Sequence, residues 1–180
     1  RVVHVVAQLS HENFDVSGCV CPRPNASHPY DIHVRFGEKV KLVRNHGGDP
    51  SIADAITARV AADQWLFDCP ASALCHNDYR EGNILVDASG AVTGVLDVEN
   101  ALAGDPLLDI AKYKFYAVGP GEAWKLDAFL EGYGPLPDGW RARLDLYRIY
   151  HILELRDFSA RTAAPAVLAR LDAQLREALA

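Results

Sequence analysis

The side chains of this chain best suited to chemistry are one imidazole, two carboxylates and one carboxamide, most of them in one short stretch. His76 and Asp78 are two positions apart, Asn83 follows Asp78 by five positions, and Asp97 lies further downstream. Mg²⁺ prefers hard oxygen ligands, so the amide oxygen of Asn83 and the carboxylate of Asp97 suit it. Asp78 is placed to align an alcohol and accept its proton, as phosphoryl transfer requires. The pattern predicts such a site, whereas Asp78 and Asn83 alone would also suit an ordinary polar turn.

A β-hairpin is predicted to bring the two metal ligands together. Residues 83–87 have the apolar pattern of a strand, 88–90 end in a glycine that suits a tight turn, and 91–97 form the returning strand. An apolar run, 72–75, leads the chain into the stretch that contains Asp78. Because the strands of a hairpin run antiparallel, its first and last residues lie at the same end, and both metal ligands are predicted to face one ion.

Helical periodicity accounts for most of the remaining chain. Apolar residues recur every three or four positions in six segments, which predicts amphipathic helices around the small hairpin. Ser51 is expected to cap the second helix, Trp65 to lie on its apolar stripe, and Pro106 to open the third. An earlier short helix and a proline-rich loop are predicted over residues 1–9 and 10–29. The six predicted helices are 30–45, 51–65, 106–116, 121–132, 138–159 and 165–179.

The composition favours a globular cytoplasmic protein without a nucleic-acid or membrane partner. With 49% hydrophobic and 23% charged residues among 180, the chain can bury one core. Its net charge of -6 argues against binding to a phosphate backbone, and is compatible with a cationic small molecule. No apolar run approaches the ~20 residues that span a bilayer, and no signal-peptide pattern opens the sequence.

The cysteines do not form a metal-binding or disulfide framework. Cys19 and Cys21 are separated by one residue and have His11 and His28 as the nearest histidines. This spacing departs from the paired C-x2-4-C pattern of structural zinc sites. We therefore expect reduced, partly buried thiols and no zinc site.

Three short motifs occur in order along the chain. The first runs from L-C-H-N-D to N-I-L-V-D over residues 74–87, the second is G-V-L-D-V-E over 94–99, and the third is G-D-P-L-L-D-I-A over 104–111. Together they resemble the motifs of the aminoglycoside phosphotransferase family, which comprises small-molecule kinases related to choline kinase and distantly to protein kinases. The resemblance implies an α+β fold class, in which a mostly helical C-terminal lobe of a protein-kinase-like fold carries a small catalytic β-hairpin.

The resemblance implies a role for each matching polar residue. Asp78 would be the catalytic aspartate that orients or deprotonates the acceptor hydroxyl. Asn83 and Asp97 would bind Mg²⁺ and, with it, the nucleotide. His76 would brace the loop by hydrogen bonds, and Asp109 would accept hydrogen bonds from the loop backbone.

Two positions depart from the family pattern without removing a ligand. Asn77 stands where glycine is common, and Val98 stands where an aromatic residue is common. Asparagine tolerates the left-handed backbone region better than most residues, so Asn77 is expected to fit a glycine-like conformation.

Arg80 is a further candidate within the same loop. Its guanidinium would stabilise the negative charge that develops during phosphoryl transfer. An exposed salt bridge from Arg80 to Glu81 or Asp87 is an equal alternative.

A nucleotide-binding lobe is implied by the resemblance but has no signature in this sequence. Family members begin with a five-stranded sheet, a nucleotide-covering loop and a paired lysine and glutamate. No G-x-G-x-x-G or V-A-I-K pattern precedes His76. Residues 1–180 are therefore expected to be the C-terminal lobe of a longer kinase that uses ATP or GTP, and to be inactive alone.

The acceptor is expected between the loop and the C-terminal helices, where Tyr79, Glu154 and Asp157 are candidate contacts. Glu154 and Asp157 interrupt an apolar helical stretch, and a cationic acceptor would favour carboxylates. A solvated helix face is the alternative explanation for each of them.

The predicted activity is transfer of the γ-phosphoryl group of a nucleoside triphosphate to a hydroxyl of a small molecule, first among them an aminoglycoside-type antibiotic. Choline, a macrolide, a sugar and homoserine are alternative acceptors. A non-catalytic kinase-like scaffold is a third possibility, against which the intact set of Asp78, Asn83 and Asp97 argues. A protein kinase is disfavoured because G-D-P-x-x-D replaces the D-F-G and A-P-E signatures.

Overall fold

The computed structural model describes residues 32–67 and 73–180. The predicted helix 1–9, the loop 10–29 and the cysteine pair Cys19 and Cys21 lie outside these ranges. Within the described ranges no helix has both the length and the apolar character needed to traverse a lipid bilayer. These ranges contain the helices α1 (Ile32–Asn45), α2 (Pro50–Ala62), α3 (Leu107–Ala117), α4 (Ala123–Tyr133), α5 (Trp140–Arg161) and α6 (Pro165–Leu179), and the strands β1 (Ala73–Cys75), β2 (Ile84–Val86), β3 (Val92–Val95) and β4 (Leu102–Gly104).

The described residues divide into two compact units. One unit contains residues 73–140, with all four strands and helices α3 and α4. The other, which we call the helical unit, contains residues 32–67 and 141–180. In it α1 packs on α2 and α2 packs on α6. All six predicted helices are present with ends shifted by a few residues, because the apolar spacing that predicted them also fills the two cores. The largest fully buried side chains of the helical unit are Phe36, Ile56, Leu66, Leu146, Tyr147, Ile149 and Tyr150.

Two local predictions about α2 are wrong. Its N-cap is Asp49 rather than Ser51, because Pro50 has the fixed φ that suits the first helical position and starts the helix earlier. The Asp49 carboxylate accepts hydrogen bonds from the backbone N–H and the hydroxyl of Ser51, at 2.9 and 2.7 Å. Trp65 lies in a 3₁₀ turn (Gln64–Phe67) beyond the end of α2 and is 59% exposed, so it is not part of an apolar stripe.

The strand-containing unit is built from two antiparallel pairs. Strands β2 and β3 form the predicted hairpin, with Ile84 opposite Val95, although both strands are shorter than expected. Strands β1 and β4 form a second pair, with Cys75 opposite Leu102, which the sequence did not predict. The two pairs frame the segment from His76 to Asn83, which we call the Asp78 loop.

Candidate functional site

The tight turn at the start of the Asp78 loop depends on Asn77. Asn77 has a φ of 59°, in the left-handed region, which confirms the expected glycine-like conformation. Its backbone N–H donates to Asp109 Oδ1 at 2.7 Å, and the N–H of His76 donates to Asp109 Oδ2 at 2.8 Å. A single carboxylate on α3 therefore fixes two consecutive peptide units just before Asp78.

Asp109 is completely buried, and its position is set by the G-D-P-x-x-D motif. Gly104 is the last residue of β4. A Cβ at this position would lie 2.8 Å from Leu102 Cδ1, so glycine permits the close approach of the Leu102 side chain to the backbone. Asp105 Oδ1 accepts the N–H of Leu107, the first residue of α3, at 3.0 Å. One turn later, Asp109 faces the loop. Burial raises the pKa of Asp109 to about 6, against the opposing hydrogen bonds from Asn77 and His76.

The His76 ring links the Asp78 loop to the end of the hairpin. Its Nδ1 accepts the backbone N–H of Asp78 at 3.2 Å, and its Nε2 lies 2.7 Å from the carbonyl oxygen of Leu96. Both bonds form together only if the proton is on Nε2, since a carbonyl oxygen accepts and a backbone N–H donates. The ring therefore holds Asp78 and the residue before Asp97 at its two ends.

Asn83 holds the Asp78 carboxylate. Its Nδ2 donates to the carbonyl oxygen of Asp78 and to Asp78 Oδ2, both at 2.9 Å. Because both partners are acceptors, the nitrogen must point at Asp78 and the amide oxygen must point elsewhere. Among the residues described, that amide oxygen receives no hydrogen bond. Asn83 is 3% exposed, so this orientation is fixed by its surroundings.

Asp97 lies at the same end of the hairpin as Asn83, as predicted. The backbone N–H of Leu96 donates to the carbonyl oxygen of Asn83 at 2.8 Å, which ties the two strand ends together. Asp97 has a φ of 59° and is exposed, and no described residue is hydrogen-bonded to its carboxylate. A non-glycine residue in the left-handed region is uncommon and is often associated with functional sites.

These donors suit a magnesium ion. The amide oxygen of Asn83 and the carboxylate of Asp97 are hard oxygen ligands, and neither is used by another described group. Mg²⁺ usually takes one or two ligands from the protein and keeps the rest from water and phosphate. The chemistry of the donor set therefore fits the ion that the sequence pattern implied.

Arg80 pairs with the Asp78 carboxylate and not with Glu81 or Asp87, the alternative partners that the sequence left open. Its Nε lies 3.3 Å from Asp78 Oδ2, whereas Glu81 and Asp87 have other partners. Asp87 Oδ1 closes the hairpin turn by accepting the N–H and hydroxyl of Ser89. The Arg80 side chain is half exposed, so its guanidinium is accessible from the solvent side of the loop.

A second anchor of the loop was missed by the sequence argument. Glu81 Oε1 accepts the hydroxyl of Tyr113 on α3 and pairs with the ammonium of Lys125 on α4, both at 3.3 Å. Lys125 also contacts Glu122 at 3.0 Å and the carbonyl oxygen of Ala117 at 3.2 Å. The hydrogen bond to Glu122 raises the pKa of Lys125. No local sequence pattern links residues 81, 113 and 125, because their contact depends on how the two helices pack.

The three candidate acceptor contacts occupy different settings. Tyr79 is 4% exposed, with its ring 4.9 Å from that of His76 and 6.5 Å from that of Phe129. Glu154 and Asp157 are on α5, in the other compact unit. Glu154 Oε2 lies 3.0 Å from the buried His151 Nδ1.

Asp157 is the centre of an ion-pair cluster in that unit. It pairs with Lys39 at 3.1 Å, Arg161 at 3.4 Å and His46 at 3.7 Å. The ion pair with Lys39 links α1 to α5, so the Asp157 carboxylate makes a structural contact between two helices. Its predicted contact with an acceptor stays a prediction.

The fold is that of the protein-kinase-like phosphotransferases. A choline/ethanolamine kinase family protein from Mesorhizobium loti superposes with a TM-score of 0.69 at 18% identity, covering 98% of this chain and 60% of that one. A thermostable mutant of aminoglycoside phosphotransferase APH(4)-Ia, in ternary complex with AMP-PNP and hygromycin B, superposes with a TM-score of 0.60 at 22% identity, covering 83% and 50%. The chain spans about half of these relatives' lengths.

Sequence comparison defines the family. The model of the APH phosphotransferase enzyme family matches residues 21–147, and the chain belongs to this family. A probable ketoamine kinase of Vibrio vulnificus (strain CMCP6) is 30% identical over 139 residues, which cover 73% of this chain and 44% of that protein.

Proposed function

We propose that the protein transfers the γ-phosphoryl group of ATP or GTP to a hydroxyl of a small molecule. The observation that carries this proposal is the orientation of Asn83, whose Nδ2 holds Asp78 and leaves its amide oxygen unused by any described residue, at the end of the hairpin where Asp97 also lies. A base held next to two metal-ligand oxygens is the arrangement that phosphoryl transfer to an alcohol needs. A non-catalytic scaffold has no physical need for it.

In this proposal each group of the site has one task. Asn83 and Asp97 hold Mg²⁺, which supplies charge neutralisation for the nucleotide phosphates when bound. Asp78 aligns the acceptor hydroxyl and accepts its proton. Arg80 moves from Asp78 Oδ2 to the phosphate and stabilises the charge there, for which its half-exposed position leaves room.

The proposed acceptor is a cationic small molecule that carries both hydroxyl and amine groups. An aminoglycoside-type compound is the first candidate, and the names of the similar proteins add ketoamines and choline or ethanolamine. These compounds share a hydroxyl next to an amine-bearing framework. The net charge of -6 is compatible with a cationic substrate.

We also propose that residues 1–180 constitute the C-terminal lobe of the kinase and that a separate lobe binds the nucleotide from the other side. The support is that the chain covers 50–60% of the solved kinase-like chains named above. Activity is therefore expected of the product of the native gene and not of residues 1–180 alone.

A coupled nucleotide-turnover assay with Mg²⁺ tests the proposal. The acceptor panel holds an aminoglycoside, choline, a ketoamine, a macrolide and a neutral sugar, and the variants are Asp78→Ala and Asp127→Asn. Asp127 is an exposed carboxylate on α4 and serves as the matched control. Acceptor-dependent turnover that Asp78→Ala removes and Asp127→Asn retains supports the proposal. Turnover of nucleotide that does not depend on any acceptor contradicts the proposal. Acceptor-dependent turnover that survives Asp78→Ala also contradicts it.

A further inference from the structure

A small apolar cavity lies between α1 and α2, in the helical unit. It has a volume of about 310 Å³ and is lined by Phe36, Gly37, Val40, Lys41, Arg44, Thr57, Val60 and Ala61. The buried side chains of Phe36, Val40 and Val60 form its floor, and the other residues form an exposed rim. Its size is at the lower end of the range of small-molecule sites, and its lining is mostly apolar, as such sites usually are.

The rim of the cavity is positively charged. Lys41 makes no hydrogen bond or ion pair with any residue in the described ranges. Arg44 is on the same face one turn later and contacts Asp54 at 2.5 Å through a single guanidinium nitrogen. An apolar floor with a lysine among its lining residues complements a molecule with an apolar body and one anionic group.

Gly37 is the second feature that points to a ligand. It lies inside α1, where glycine is less favourable than alanine because it loses more backbone freedom on folding. A Cβ added at this position would have no atom of residues 32–67 or 73–180 within 4 Å. Packing among the described residues therefore does not require the glycine, and its effect is to leave the cavity open on the α1 side.

We propose that this cavity binds a small amphipathic carboxylate, with the apolar body on Phe36, Val40 and Val60 and the carboxylate on Lys41. The site is formed entirely by residues of the helical unit and does not depend on the proposed phosphotransferase activity. Thr57 does not compete for the carboxylate, since its hydroxyl donates to the carbonyl oxygen of Ala53 at 2.8 Å.

Three probes of one shape and different charge test the proposal by titration calorimetry on the native gene product. They are 4-phenylbutyrate, the neutral 4-phenylbutanol and the cationic 4-phenylbutylamine. We expect saturable binding of phenylbutyrate and no measurable binding of the amine. The alcohol should bind about tenfold more weakly than phenylbutyrate, because one charge-assisted hydrogen bond is lost.

A substitution tests the role of the lysine. Lys41→Gln should weaken phenylbutyrate binding by a similar factor and leave binding of the alcohol unchanged. Lys114→Gln, an exposed lysine on α3, is the control.

Two cavity-filling variants separate binding from folding. Gly37→Leu and Ala61→Phe fill the cavity from opposite walls and should abolish binding of phenylbutyrate without lowering the melting temperature. Ala58→Phe places the same ring on α2 at an exposed position outside the lining, and should bind normally. Equal affinity for the three probes, unchanged binding in both filled variants, or no saturable binding at all overturns the proposal. Filled variants that melt earlier would show that the space cannot accommodate an added apolar group, and would overturn the proposal too.

Discussion

At the scale of single residues, the site depends on which atoms are already engaged and which remain available. The carboxamide of Asn83 can serve Asp78 through nitrogen and a metal ion through oxygen at the same time. His76 likewise uses both ring nitrogens, one toward Asp78 and one toward Leu96. Each of the two side chains is therefore held in one orientation by the protein, and only the Asn83 amide oxygen is left without a described partner.

Replacing Asp78 tests the proposed base. Asp78→Asn keeps an oxygen that can accept the Asn83 hydrogen bond but removes the proton acceptor, so we expect kcat to fall by about 10²–10⁴-fold with nucleotide affinity retained. Steady-state kinetics with a coupled assay measure kcat, and equilibrium dialysis measures nucleotide binding. A fall in nucleotide affinity with unchanged kcat would assign Asp78 a different role.

Replacing Asp97 tests the metal site. Asp97→Ala removes one of two protein ligands and should abolish the Mg²⁺ dependence of nucleotide binding, because the remaining amide oxygen is neutral. A magnesium titration at fixed nucleotide, followed by tryptophan fluorescence or calorimetry, checks this outcome. Glu99→Gln, an exposed carboxylate two residues later, is the control. The same magnesium dependence in Asp97→Ala and in the native protein would refute the assignment.

At the scale of elements, the Asp78 loop is held by two helices. Helix α3 contributes Asp109 to the backbone of the loop, and Tyr113 to the side chain of Glu81. Helix α4 contributes Lys125, which reaches Glu81 as well as the end of α3. The packing of α3 on α4 thus positions Asp78, although neither Tyr113 nor Lys125 touches it.

Replacing Lys125 tests this positioning role. Lys125→Met keeps the aliphatic stem but removes both ion pairs, so we expect kcat to fall by on the order of tenfold while the nucleotide KM changes little. Lys125→Arg should restore most of kcat, because arginine can still reach both carboxylates. Lys114→Met on an exposed face of α3 is the control. Equal losses in the methionine and arginine variants would show that the charge at this position is not what matters.

At the scale of the whole molecule, the buried Asp109 should make stability depend on pH. Burial raises its pKa from 3.8 to about 6, so the folded state holds a proton that the unfolded state has lost. The contribution of Asp109 to stability is therefore complete below pH 4 and decreases as the pH rises toward 6. The decrease is at most about 1.4 kcal/mol per pH unit.

Urea denaturation of the native protein and Asp109→Asn between pH 4 and 7 measures this effect. We expect the native protein to lose stability relative to the variant as the pH rises from 4 to 6. The free energy of unfolding of the variant should be about 1–3 kcal/mol lower at pH 4. The reason is that one of the two backbone N–H groups of His76 and Asn77 then faces an amide nitrogen, which cannot accept a hydrogen bond. A constant difference between the two proteins across this range would show that Asp109 keeps its charge when folded.

The sequence by itself determined the fold class, the helices and the hairpin beside the Asp78 loop. These features depend on local information: apolar spacing predicts helices, and the hairpin follows from two short strands and a turn glycine. The positions of Asn83 and Asp97 were enough to predict that these two residues lie at one end of a hairpin, because the first and last residues of an antiparallel pair are neighbours.

Only the tertiary structure decided which distant groups hold the loop and which polar atoms stay available. Packing between segments far apart in sequence brings β1 beside β4 and Lys125 beside Glu81. The rotamers of side chains within the loop decide that Arg80 pairs with Asp78. The cavity between α1 and α2 is a further example, since its volume depends on the separation of two helix faces. Local residue patterns carry no such information, because many packings bury the same apolar faces.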